Sequence, residues 1–197
     1  MSKRTDLRVL KTQKLIRDSF LSLIDKKGFA IITINDIAEK AQINRSTFYL
    51  HYTDKYALLD KMVDEAMEKL VALVAPEAHI QSKNLDVESL RQNIQAILTI
   101  IAEDVIFYKI IFGENRMFNL REKMADILKQ KFGQSFREQT LIPDELFLEM
   151  VTSLYMGAIA WWLSRGTAYS PSYMAQQLVK IVTMGPAKVC GLIDTEG

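Results

Sequence analysis

The stretch from Thr33 to Tyr52 constrains this chain more than any other part of it. Thr33 is a good helix N-cap, and Asp36 three residues later makes a capping-box-like pair with it. A short helix is expected from Ile34 to Ala41, with Ile37, Ala38 and Ala41 turned inward. Gln42-Ile43-Asn44 then reads as a polar–apolar–polar turn with Ile43 as its plug. Asn44 can cap a second short helix, Arg45 to His51. Phe48 and Tyr52, at i and i+4, give that helix an inward face and leave Arg45, Ser46, Thr47, Tyr49 and Leu50 largely outward. Two short helices joined by so brief a turn fit a helix-turn-helix, in which the first helix packs across the second and the second presents its free face to a major groove.

Helical periodicity governs the flanks as well. Ile16, Phe20, Leu23 and Ile24 fall on one face of a helix that Gly28 is placed to end. Asp54 can cap a helix running from Lys55 towards Val74, before Pro76. Further helices are expected over Asp86–Glu103, Val105–Phe112 (broken near Gly113), Phe118–Thr140 and Asp144–Ser164. A last one is capped by Ser170 with Pro171 at its first position and ends or kinks at Gly185-Pro186. No period-2 stretch suggests a strand. The expected fold class is all-α: an N-terminal three-helix helix-turn-helix domain over residues 1–55, then a helical bundle over 56–197.

Charge separates the same two parts. Residues 1–55 carry 11 Lys+Arg against 6 Asp+Glu, a net of +5, whereas the remainder carries 14 against 18, a net of −4. Basic residues gathered at one end suit a polyanion partner, although a solvated basic tail gives the same count. The segment Lys3–Lys14 is expected to act as an arm that follows a phosphate backbone or enters a minor groove, or else to be such a tail. The single Cys190, the absence of an apolar leader at the start, and apolar runs too short for a membrane span lead to a cytoplasmic expectation with no membrane partner.

Taken together, Gly28, Thr33 to Ala38, Phe48-Tyr49-Leu50-His51-Tyr52 and Lys55-Tyr56-Ala57-Leu58-Leu59 resemble the DNA-binding domain of the tetracycline-repressor (TetR) family of bacterial transcription regulators. The resemblance covers Thr12–Leu59, about a quarter of the chain. Ala160-Trp161-Trp162-Leu163-Ser164-Arg165-Gly166, followed by Ser170 to Ala175, is similar to the C-terminal region of many Gram-positive members. The resemblance implies a homodimer built from the helices near 144–164 and 171–184, a palindromic duplex-DNA operator and a small-molecule effector. It also implies repression relieved when the effector moves the two heads off the spacing of successive grooves.

Arg45, Ser46, Thr47 and Leu50 are the expected base readers. Arginine can fork guanine O6 and N7, hydroxyls can donate or accept, and an apolar side chain can meet a thymine methyl. Thr33, Tyr49, His51 and Lys55 are the expected phosphate contacts, Thr33 and Lys55 because they stand at helix N-termini. His51 is equally readable as a packed or solvated histidine. Phe107, Tyr108, Phe112, Met117, Phe118, Trp161 and Trp162 are candidates for an effector cavity, though the same residue types build cores.

Other functions find less support. There are two histidines, His51 and His79, with no H-E-x-x-H, no cysteine pair for a metal and no glycine-rich phosphate loop. Glu103 and Asp104 are adjacent on a helix and diverge by about 100°. The chain is therefore expected to be no enzyme and to need no cofactor. A closer rival is an activator or co-regulator whose C-terminal half binds a protein instead of a small molecule.

Overall fold

The computed structural model describes residues 2–74, 80–81, 84–112, 117–132 and 141–193, with side chains for all of these except 2–6, 81 and 117–121. It contains helices α1 (Ser2–Lys27), α2 (Ile34–Lys40), α3 (Arg45–Tyr49), α4 (Lys55–Leu73), α5 (Val87–Glu103), α6 (Val105–Ile111), α7 (Met117–Phe132), α8 (Asp144–Ser164) and α9 (Pro171–Val189). A minimal antiparallel pair, β1 (Ile80–Gln81) and β2 (Asn84–Leu85), precedes α5 with Ile80 opposite Leu85. No strand was expected here, because two residues on each side are too few to display an alternation. The expected stops near Pro76 and Gly113, and the expected helix beyond Phe132, lie outside the described residues. So does His79.

Contacts divide the chain into Met1–Met67 and Glu68–Gly197. The division falls inside α4, later than the expected boundary after Lys55. The part of α4 up to Met67 contributes Leu58, Leu59, Met62 and Ala66 to the buried residues of the N-terminal unit.

In that unit α1 runs from Ser2, so the basic N-terminal segment is helix rather than a loose arm. No glycine or proline interrupts residues 2–27. Ile16, Phe20, Leu23 and Ile24 are buried as their spacing requires. Gly28 ends α1 at φ +80°, its N–H donating to the Ile24 carbonyl at 2.8 Å. Helices of seven and five residues are too short to hold themselves in water, so α2 and α3 depend on what they pack against. Ile37, Ala38, Ala41, Phe48 and Tyr52 supply that packing, all of them buried.

The C-terminal unit pairs α5 with α9, and α7 and α6 with α8. Asp86 caps α5 by accepting the Glu88 and Ser89 N–H bonds, Asp104 caps α6, and Ser170 caps α9 ahead of Pro171. Leu90, Ile94, Leu98 and Ile101 form the buried stripe of α5. α9 is interrupted at Gly185 (φ +76°), next to Pro186, at the expected kink. Among the described residues, α8 is the one helix long and apolar enough to cross a membrane, but it has a core face: Leu148, Thr152, Met156, Ile159, Trp162 and Leu163 are buried.

Candidate functional site

The turn before α3 aims its exposed face. After α2 the backbone closes with two bonds, Gln42 N–H to the Glu39 carbonyl (3.1 Å) and Ile43 N–H to the Ala38 carbonyl (3.0 Å). This double closure satisfies the last carbonyls of α2 and sets Gln42 in the left-handed region, φ +54°. The chain reverses there and α3 starts at once. Asn44 occupies the N-cap position, yet its side chain makes no capping bond, contrary to expectation. The amide is exposed beside Arg45.

On α3, Phe48 is fully buried, whereas Arg45, Ser46, Tyr49 and Leu50 are exposed, Leu50 by 82%, and Thr47 is half-buried. Arg45 donates from Nε (3.3 Å) and Nη2 (3.0 Å) to the Tyr49 hydroxyl, and its guanidinium lies 5.4 Å from the Tyr49 ring centroid. An arginine has five N–H donors, so a fork for a base edge remains after these two bonds are made. The pair holds the long side chain in one orientation on the outer face. His51 is half-buried, with its ring 6.2 Å from that of Tyr52.

Besides Tyr49, two more of the expected phosphate contacts are engaged within the unit. Thr33 forms a full capping box: its Oγ1 accepts the Asp36 N–H (3.2 Å), and its own N–H donates to Asp36 Oδ2 (2.8 Å). The Thr33 hydroxyl also donates to Asp36 Oδ2 at 2.6 Å. These bonds, with Lys27 Nζ at 3.2 Å, hold the Asp36 carboxyl down at about 2. Lys55 Nζ donates to three carbonyls of the α1–α2 connection, Phe29 (2.9 Å), Ala30 (3.1 Å) and Ile32 (2.8 Å), and stands 4.9 Å from the Phe29 ring centroid. An ammonium has three donors, and all are used. In this structure Lys55 therefore ties a loop, and a phosphate would have to displace one of those carbonyls.

The C-terminal unit contains a cavity of about 240 Å³ lined by α5, α7, α8 and α9, with Val74, Ile80 and Leu85 at one part of its wall. Among the described residues its lining is almost wholly apolar: Asn93, Thr152 and Tyr155 are the polar members, and none is charged.

Two family models match the chain. Residues 16–62 fit the model described as bacterial regulatory proteins, tetR family, and residues 88–184 fit a transcriptional regulator C-terminal region of the same family. The chain belongs to the TetR family. An uncharacterized helix-turn-helix-type transcriptional regulator of Bacillus subtilis, YxbF, is 26% identical over 95% of this chain, which spans about half (48%) of that protein's length. A "Probable acrEF/envCD operon repressor" of Escherichia coli K12 is 26% identical over 91% of this chain and 88% of its own. The solved structure of the transcriptional regulator FadR from Bacillus subtilis in complex with stearoyl-CoA shares the fold: TM-score 0.63 at 17% identity, covering 87% of this chain and 98% of that one.

As a TetR-family member the protein is a sequence-specific DNA-binding regulator and has no catalytic role. The TetR-type α3 brings the four expected base readers onto or beside one exposed face. The structure locates five of the seven side chains expected at an effector cavity. Phe107, Tyr108, Phe112 and Trp162 are buried in the core, Trp161 is 47% exposed, and none of the five lines the cavity. The side chains of Met117 and Phe118 lie outside the described residues. Phe107 and Trp162 are fully buried, and the cavity lies instead where Ile97, Met124, Leu128 and Val151 meet. Sequence reasoning missed Tyr155 as a cavity residue and the uncapped Asn44 amide. The first sat on an α8 apolar all round; the second could be found only by seeing its cap bond absent.

Proposed function

We propose that the protein is a homodimeric, ligand-responsive repressor. The observation that carries the DNA-reading part is the face of α3: Phe48 is buried while Arg45, Ser46 and Leu50 stand uncovered around the anchored Arg45–Tyr49 pair. Arg45, Ser46, Thr47 and Leu50 read base edges. Tyr49, His51 and the Thr33 region contact phosphates, and Asn44 joins them as a neutral donor. Lys55 keeps the α1–α2 loop in place and approaches phosphate only by exchanging a carbonyl partner.

Dimer formation is supported by what α8 leaves uncovered. Leu146, Met150, Gly157 and Trp161 recur at helical spacing on its outer side, and among the described residues nothing lies within 4 Å of where a Gly157 β-carbon would stand. A helix apolar on two sides packs two partners, here its own core and the α8 and α9 of a second copy. This reading accounts for an apolar α8 without a membrane. Two heads on one dimer multiply the affinity of a single small reading helix.

The ligand-responsive part rests on the cavity. An effector need only prefer the DNA-incompetent state; a tenfold preference is worth about 1.4 kcal/mol. A fold-sharing regulator crystallised with stearoyl-CoA, and a relative described as an operon repressor, support the sense of this reading. Selection of bound sequences from random duplex DNA tests it. The expected product is a palindrome with two half-sites related by a two-fold axis; enrichment of a single asymmetric site, or of none, would refute the dimeric reader.

A further inference from the structure

The lining of the C-terminal cavity specifies the chemistry of its ligand more narrowly than its size does. Ile94, Ile97, Met124, Leu128 and Val151 present hydrocarbon, and among the described residues no Asp, Glu, Lys, Arg or His lines the wall. An anion or cation entering there would lose its hydration without meeting a counter-charge. Lys131, next in sequence to the lining residue Phe132, offers no help, since it donates to the Val71 and Val74 carbonyls.

The polar lining groups differ in what they have left to give. Thr152 is buried and its hydroxyl donates to the Leu148 carbonyl at 2.7 Å. Asn93 Nδ2 donates to the Leu73 carbonyl. Tyr155 has no hydrogen-bond partner among the described residues, although burial pushes its phenol up to about 12 and keeps it a protonated donor at neutral pH. Tyr155 is half-buried, and a largely covered phenol in a protein normally finds an acceptor, which a ligand oxygen in the cavity would supply. As for size, an engineered cavity of about 150 Å³ holds benzene, so 240 Å³ corresponds to about ten non-hydrogen atoms.

We propose that the cavity binds an uncharged lipophilic molecule of about ten non-hydrogen atoms bearing one oxygen function, which accepts the hydrogen bond of Tyr155. The proposal rests on the effector reading in taking the cavity as a ligand site, and it specifies what that ligand is. Acids of the same length and coenzyme A thioesters are disfavoured by a wall whose described residues carry no charge.

Isothermal titration of the full chain with 1-octanol, octanoate and octanoyl-CoA at about pH 7.5 tests the assignment. The alcohol is expected to bind, octanoate at least about tenfold more weakly, and the thioester no more tightly than the alcohol. Tyr155→Phe keeps the ring and deletes one hydroxyl; it is expected to weaken 1-octanol by about fivefold to tenfold without unfolding the chain. Octanoate or octanoyl-CoA binding as well as the alcohol, an unchanged affinity in Tyr155→Phe, or no binding by any alcohol of six to twelve carbons would overturn the proposal. Release of a selected duplex by 1-octanol is read separately. Binding without release upholds the ligand assignment and sinks the effector reading alone.

Discussion

The α3 face and the C-terminal cavity are held in place by opposite means. Around α3 the decisive bonds are polar and short in sequence: Thr33 with Asp36, Gln42 with Glu39, Ile43 with Ala38, Arg45 with Tyr49. Around the cavity they are apolar and long, with Ile97, Leu128, Val151 and Leu178 brought together from four helices. A surface that must meet a duplex of fixed geometry is set by local backbone closure, which tolerates little variation in angle. A lumen is set by whatever volume the packing leaves over, and a few substitutions change its size without touching the reader. The contrast explains how one family architecture can keep its DNA geometry while its ligand chemistry differs.

The most severe test of this division is the outer side of α8. Met150 is 58% exposed in the single chain, so Met150→Lys leaves the protomer's core intact. If α8 is the dimer helix, light scattering should report a monomer and DNA affinity should fall by about a hundredfold or more, as avidity is lost. A dimer persisting at micromolar concentration would place the interface elsewhere.

Arg45→Ala tests the reader itself. It should cost about 1–3 kcal/mol on the selected sequence and relax preference at one base pair of each half-site, with the melting temperature unchanged. Competition binding against single-base variants measures this, and an unchanged preference profile would remove Arg45 from the reading set.

Lys55 sharpens the comparison because two roles give different signatures. With its ammonium spent on the carbonyls of residues 29, 30 and 32, Lys55→Met should destabilise the chain by about 1–3 kcal/mol in urea unfolding and leave the salt dependence of DNA binding unaltered. Were Lys55 chiefly a phosphate contact, stability would hold and the salt slope would flatten by about one unit.

A smaller effect, of opposite sign, is expected at the turn. Gln42 adopts a left-handed conformation at φ +54° that glycine enters without a clash. Gln42→Gly should therefore stabilise the chain by about 0.5–1 kcal/mol with DNA preference unchanged. A loss of stability would mean that the Gln42 side chain holds the turn in some further way.

These differences also mark what was legible in the sequence. The helix-turn-helix could be read almost residue by residue, because its signals act over three or four positions: Thr33 and Asp36 cap, Ile37 and Phe48 face inward, Gly28 ends α1. α7 showed its apolar positions Met124, Leu128 and Phe132, but not that they would face a lumen, which depends on what three other helices leave uncovered. The three hydrogen bonds of Lys55 were illegible for the same reason, since their partners lie more than twenty residues away. The helical start of α1 is legible in the lack of any breaker over residues 2–27, whereas the basic residues between Lys3 and Lys14 suggest an arm or a tail.

The mildest perturbation acts on the local side alone. Asp36 is held at about 2, below its ordinary 3.8, first by the Thr33 hydroxyl and backbone N–H and then by Lys27. A depressed carboxyl stabilises the fold where it is ionised in both folded and unfolded chains, that is, above the ordinary value. The contribution fades as pH falls from about 4 towards 2 and is gone below the folded value. Acid unfolding followed by the far-ultraviolet helix signal should thus begin earlier for Thr33→Ala, in which the carboxyl recovers a more ordinary value, than for the parent chain. Since Lys27 is present in both chains, raising the salt concentration should move the two acid midpoints in the same direction and leave most of the gap between them. An identical acid midpoint for the two chains would mean that the capping box does not couple Asp36 to the stability of α2.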